Sequence, residues 1–185
     1  YEQIREVLRL CKEEKLPFFV LGNGSNLLVS DSGYRGVIIQ MDRNMEEIRL
    51  DGEEIHACAG ALLSSVAVAA RNASLTGFEF AGGIPGTLGG GVAMNAGAYG
   101  GEIKDCIVSA KVLTKEGERV VLKKEDLQLS YRNSVILQKG YLVLEATFSF
   151  EKGNPAEIQE EIKELNKRRR EKQPLEYPSA CLLYT

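Results

Sequence analysis

Gly82-Gly83-Ile84-Pro85-Gly86-Thr87-Leu88-Gly89-Gly90-Gly91 runs on into Met94-Asn95-Ala96-Gly97-Ala98-Tyr99-Gly100. Ten of the 19 glycines of the chain fall between Gly77 and Gly101. Such a density marks backbone that must bend or be approached closely. A flexible interdomain linker would be polar. This stretch instead carries Phe78, Phe80, Ile84, Leu88, Val92, Met94 and Tyr99. Apolar and glycine-rich together, it reads as ordered backbone wrapped around something flat or anionic, with regular structure resuming only beyond it.

Working outward, a second glycine-rich turn, Gly22-Asn23-Gly24-Ser25-Asn26, follows the apolar run Phe18–Leu21 directly. Backbone amides that converge on a phosphate need side chains out of the way, and serine and asparagine add further donors. The turn lacks the Gly-Lys-Ser/Thr of a Walker loop. It also fails the dinucleotide GxGxxG, because Leu27 stands where the third glycine would be. Before it, Ile4, Val7, Leu8 and Cys11 recur at helical spacing, which predicts an amphipathic helix over 1–15. Strands are expected at 18–21 and 36–41. Hairpins are expected at 48–59, at 106–122 around Lys115-Glu116-Gly117, and at 135–150 around Lys139-Gly140, with a buried helix over 61–73. Asn154-Pro155 supplies an N-cap and a first-turn proline, with Glu157 at the capping-box position, for a helix ending near Lys172. A short α/β beginning followed by hairpins and helices gives an α+β class.

Composition narrows the chemistry. The chain has 185 residues, of which 44% are hydrophobic, and 23 basic residues stand against 26 acidic ones for a net charge of −3. That balance offers no general attraction to nucleic acid or to an anionic membrane. A single histidine, His56, excludes His-rich metal sites, and no CxxC pair occurs among Cys11, Cys58, Cys106 and Cys181. No metal is expected. His56 reads as a satisfied strand histidine. Without a secretory segment before the cysteines, a reducing cytoplasm is the expected location. Arg168-Arg169-Arg170 reads as the solvated end of the last helix. Tyr131-Arg132-Asn133-Ser134 is a polar block before an expected strand. Arg132 there is either a surface arginine or the fixed cation of a site suited to a carboxylate or a developing enolate.

Four blocks occur in order: Leu21–Leu28, Gly82–Gly90, Asn95–Gly100 and Tyr131–Ser134. Together they resemble the UDP-N-acetylenolpyruvoylglucosamine reductase family, within the vanillyl-alcohol-oxidase-type FAD-binding superfamily, over Tyr1 to about Ala180. The resemblance implies a PCMH-type fold of two α+β subdomains, at 1–50 and 51–153, a connecting helix at 154–173, and an aberrant or truncated start of a substrate domain at 174–185. It implies FAD as cofactor and NADPH as co-substrate, with a UDP-sugar carrying an enolpyruvyl group as substrate. FAD would be bound by Gly22, Asn23, Gly24, Ser25, Asn26 and Leu27, and by Gly82, Ile84, Pro85, Gly86, Thr87, Gly90 and Gly91. Asn95, Ala96, Gly97 and Tyr99 would line the rest of it, and Arg132 would act catalytically on the substrate carboxylate. The family follows Pro-Ser-x with a Gly-Ser block whose serine donates a proton. Here Pro178-Ser179-Ala180 is followed by Cys181 and Leu182, so neither Ser179 nor Cys181 inherits that role. The chain is expected to hold the flavin without completing the reaction. A flavin-binding module without turnover and another oxidoreductase of the superfamily are the alternative readings.

Overall fold

A computed structural model describes residues 1–173; the expected substrate-domain start at 174–185 lies outside the described residues. In chain order the elements are α1 (Glu2–Glu13), β1 (Phe18–Leu21), β2 (Val37–Gln40), β3 (Ile48–Asp51), β4 (Glu54–Cys58), α2 (Leu63–Asn72) and β5 (Leu75–Thr76). They continue as α3 (Leu88–Ala93), β6 (Gly97–Ala98), β7 (Gly101–Glu102), α4 (Ile103–Cys106), β8 (Ile107–Leu113) and β9 (Arg119–Lys123). The last are α5 (Val135–Lys139), β10 (Leu142–Ser149), β11 (Glu151–Lys152) and α6 (Pro155–Lys172). The fold is mixed α+β.

A five-stranded sheet in the order β3-β4-β10-β8-β9 organises the larger part. Every pairing in it is antiparallel. Its inward residues, among them Ile55, Ala57, Ala110, Val112, Leu142, Leu144 and Phe148, are buried beneath α2 and the glycine-rich stretch. Phe78 closes that layer, with its ring 5.3 Å from Phe80 and 5.3 Å from Phe148. The helix α2 packs there through an inward face of Leu63 and Val66 followed by the small Ala67 and Ala70. His56 sits in β4 with Nδ1 3.0 Å from the Thr147 hydroxyl on the neighbouring strand.

Two expectations are corrected. Val135–Lys139 is a helix and not the first strand of a hairpin, because Ser134 accepts a hydrogen bond from the Leu137 amide at its N-cap. Gly140 ends that helix in the left-handed conformation (φ 64°). The glycine-rich stretch also contains regular structure. Gly89, Gly90 and Gly91 lie within α3, and a 3-10 turn spans Glu79–Gly83. Tertiary packing overrides glycine's poor helix propensity here. A Cβ on Gly89 would stand 2.9 Å from the Ala59 Cβ, and one on Gly91 would stand 3.0 Å from the Leu63 side chain. Only glycine lets this helix lie flat on the sheet rim and on α2.

Cys106 is buried at the end of α4, and burial, followed by the charge of Asp105, pushes its thiol up to about 12. Alkylation at pH 8 should therefore leave Cys106 unmodified until denaturant is added, its thiolate being on the order of a thousandfold scarcer than in an ordinary cysteine. Peptide mass spectrometry reads this directly. Labelling at the rate of a free thiol would show that the α4–β8 junction is not packed.

Candidate functional site

Of the three two-stranded sheets among the described residues, one is a parallel pair, β1 with β2, in the register Phe18↔Val37 to Leu21↔Gln40. Parallel strands need a long crossover, usually a helix. Here residues 22–36 make the crossing without one. An irregular connection of that length in a compact fold is usually functional. Its backbone supports that reading. Among the described residues, no amide of 22–29 donates to a protein acceptor.

This loop lies against the glycine-rich stretch. The Asn23 side-chain amide donates to the Pro85 carbonyl at 3.0 Å, and that of Asn26 to the Met94 sulfur at 3.4 Å. Gly22 faces Thr87 so closely that a Cβ there would collide with the Thr87 hydroxyl. The Ser25 hydroxyl lies 3.7 Å from the Cβ position of Gly86. On the facing segment the amides of Gly86, Thr87 and Gly90 likewise lack protein acceptors, whereas Leu88 and Gly89 donate to Ala61 and Ala59 of the sheet rim. Two segments whose amides lack acceptors among the described residues thus lie against each other, and Gly24 and Gly90 leave the surface open. A Cβ on either would meet only one atom within 4 Å, at 3.9 Å.

Gly82 is placed differently. Its Cβ position faces Ile162 of α6 and Ala67 of α2, at 3.5 and 3.9 Å.

Beyond α3, Asn95 takes a left-handed conformation (φ 45°) and buries its side chain. Its amide nitrogen donates to the Glu102 carboxylate at 2.7 Å and to the Ser130 carbonyl at 3.2 Å, and its oxygen accepts from the Lys104 amide at 2.9 Å. The Ala96 amide donates to the Gly91 carbonyl and its carbonyl accepts from Ile103. Gly97 lies in β6, and Tyr99, also left-handed (φ 54°), is exposed between β6 and β7. Arg132 projects from a tight turn closed by reciprocal Ser130–Asn133 backbone hydrogen bonds, each 3.1 Å. Its guanidinium lies over the Tyr131 ring at 5.6 Å and makes a long 3.5 Å contact with the Gly97 carbonyl. The turn precedes a helix, so the block expected before a strand caps α5 instead.

Contacts therefore run unbroken from Gly22 through Pro85 and Met94 to Asn95, Gly97 and Arg132. Glu102 and Lys104 were not legible as part of this constellation. Their nearest sequence signal is the Glu102-x-x-Asp105 capping box of α4. Bonding to the Lys104 ammonium, and then to Asn95, holds the Glu102 carboxyl below the ordinary carboxylate value.

A profile of the family described as FAD binding domain matches residues 1–123. The chain belongs to the FAD-binding domain family. Both the 22–29 loop and the segment through Tyr99 fall inside the match, and Arg132 falls beyond it. Two curated proteins named UDP-N-acetylenolpyruvoylglucosamine reductase, from Lachnoclostridium phytofermentans and Clostridium botulinum (strain Eklund 17B / Type B), are each 54% identical to this FAD-binding-domain chain. The aligned regions, over 183 and 179 residues, take in 97% of the chain and 59% of those proteins. The chain thus spans somewhat over half the length of the curated relatives it matches. The crystal structure of the Thermus caldophilus reductase of the same activity superposes with a TM-score of 0.77 at 32% identity, covering 91% of this chain and 61% of that one. A 6-hydroxy-D-nicotine oxidase from Arthrobacter nicotinovorans shares the fold alone, with a TM-score of 0.59 at 19% identity.

The residues present fit the family's cofactor. FAD carries a diphosphate and a flat ring system. The paired rows of free amides, with uncharged Ser25 and Asn26 beside them, suit the diphosphate. Helix length adds nothing to the membrane question: among the described residues, none is long and apolar enough to span one.

Proposed function

We propose that this chain is the flavin-holding part of a UDP-N-acetylenolpyruvoylglucosamine reductase. The observation that carries the proposal is the contact of the 22–29 loop, whose amides lack acceptors among the described residues, with the segment that bears the acceptor-free amides of Gly86, Thr87 and Gly90. The 54% identity to reductases over 97% of the chain supports it. When bound, FAD supplies hydride transfer from NADPH to the enolpyruvyl group of the UDP-sugar, giving UDP-N-acetylmuramate for peptidoglycan synthesis. The protein's part is to bind and orient. The 22–27 loop, with Gly86, Thr87 and Gly90, holds the diphosphate by backbone donation. Ile84, Pro85, Gly91, Ala96, Gly97 and Tyr99 border the remaining cofactor surface. Arg132 holds the substrate carboxylate and stabilises the charge that develops beside it. A cytoplasmic location, where the two nucleotide substrates are made, belongs to the same reading. The complete reaction is proposed only for a protein with the full length of the curated relatives.

The chain purified and incubated with FAD should retain the cofactor through gel filtration and show flavin absorbance bands, which NADPH bleaches. A colourless protein that cannot be reconstituted would sink the proposal. Product formed from the enolpyruvyl UDP-sugar by residues 1–185 alone would overturn the restriction to the longer protein.

A further inference from the structure

Arg132 extends from a turn, and its own side chain is loosely held. Among the described residues, only the Tyr131 ring and the long Gly97 contact orient its guanidinium, and no carboxylate lies within ion-pair distance of it. Its direction must come from the backbone of the turn. Both flanks of that turn are tied to the C-terminal end of α3. On one side the Asn95 amide donates to the Ser130 carbonyl at 3.2 Å. On the other the Ser134 hydroxyl donates to the Ala93 carbonyl at 2.6 Å. Both side chains are almost wholly buried, Asn95 at 2% and Ser134 at 0% exposure.

Asn95 also holds an acid that lies near the cation. Glu102 pairs across the β6–β7 ladder with Gly97, whose carbonyl Arg132 contacts, and the Arg132 charge is the least of the causes that hold the Glu102 carboxyl down. Three donors hold it: the Asn95 amide at 2.7 Å, the Lys104 ammonium at 2.8 Å and the Asp105 backbone amide of the capping box. Of the two side chains, Lys104 is half exposed and Asn95 is fixed. An arginine forms a better two-pronged pair with a carboxylate than a lysine does. Glu102, once released by Asn95, would have Arg132 as a competing partner. An arginine neutralised in that way is lost to an external carboxylate.

We propose that Asn95 is a positioning residue for Arg132, pinning its turn through the Ser130 carbonyl and keeping the Glu102 carboxylate away from its guanidinium. Ser134 pins the opposite flank. The significance of this rests on the carboxylate-binding reading of Arg132; the geometry of the turn does not. It also gives the buried Asn95 amide a role other than contact with FAD, since each of its polar atoms is committed to protein partners.

Phenylglyoxal labelling of the full 185-residue chain, with peptide mass spectrometry, tests this without requiring turnover. Ion pairing slows the labelling of an arginine, and exposed Arg35 and Arg49 serve as internal references. Asn95→Ala should slow labelling of Arg132 roughly two- to fivefold, the change an exposed ion pair produces, with the references unchanged. Adding Glu102→Gln to Asn95→Ala should restore the original rate, which a merely structural role for Asn95 would not do. An unchanged rate, a faster rate, or a slow rate that Glu102→Gln fails to restore each overturn the proposal, since in each case Glu102 is not the partner that Asn95 keeps from Arg132. A final arm adds the enolpyruvyl UDP-sugar to an FAD-loaded wild-type protein of the full length of the curated relatives. If Arg132 is not protected there while the Asn95 and Glu102 pattern holds, the carboxylate reading of Arg132 fails and the positioning stands.

Discussion

Gly22→Val should weaken FAD retention by about 10- to 100-fold, the effect of forcing one to three kcal/mol of overpacking into a site. The reason is steric. A Cβ on Gly22 would overlap the Thr87 hydroxyl, so the loop has to move off the segment that carries Gly86, Thr87 and Gly90. That movement stretches the Asn23–Pro85 hydrogen bond and separates the two rows of free amides. Gly24→Val tests a different cause. Its side chain would have open space, with Leu21 3.9 Å away, but the backbone there is left-handed at φ 70°. The penalty is conformational, on the order of 1–2 kcal/mol and roughly tenfold in affinity. Gly33→Val is the control. Gly33 has nearly the same backbone (φ 71°) in the same crossing, nothing within 4 Å of its Cβ position, and no contact with the second segment. Equilibrium dialysis of FAD, with thermal melts alongside, separates the cases. Equal losses at Gly33 and Gly22 would mean that the loop responds to strain in general, and full retention by Gly22→Val would reduce the cradle to a turn.

Short-range physics accounts for what was legible in the sequence. The helix at Glu2–Glu13, the Ile48–Cys58 hairpin and the Asn154-capped helix each carry their signal within a few residues, as periodicity or as a cap. The Val135–Lys139 helix was misread because five residues give no periodicity. What decides it is the Ser134 hydroxyl, which the sequence cannot show committed to both Ala93 and Leu137. The glycines of α3 were misjudged for a related reason. Helix propensity argues against Gly89-Gly90-Gly91, and the contacts that override it come from Ala59 and Leu63, far away in the chain. In the site, residue types pointed to a backbone cradle, and the resemblance joined its pieces. The contact between Gly22 and Thr87 and the facing of Gly82 toward α6 and α2 are tertiary facts with no local signature. So is the hold of Asn95 on Glu102.

Arg132→Ala should separate the two halves of the proposed reaction in a protein that spans the full length of the curated relatives. Bleaching of the flavin absorbance by NADPH should stay within about twofold of wild type, because a guanidinium aimed at the substrate carboxylate does not help to deliver the first hydride. Return of the absorbance on adding the enolpyruvyl UDP-sugar should slow by about 100- to 1,000-fold, the usual loss when one donor to a developing anion is removed. The turn complicates a simple deletion, since residue 132 is left-handed at φ 52° and alanine tolerates that no better than arginine. Arg132→Lys controls for this by keeping a cation on the same strained backbone. Lysine lacks the planar fork that grips both carboxylate oxygens, so it should recover part of the rate and leave the substrate KM raised. Stopped-flow absorbance measures both halves in one instrument. If the two halves fall together in Arg132→Ala, the arginine supports the flavin site as a whole and the carboxylate is held elsewhere. If Arg132→Lys equals wild type in the second half, a point charge is sufficient, and the tight turn that sets the fork in place has some other purpose.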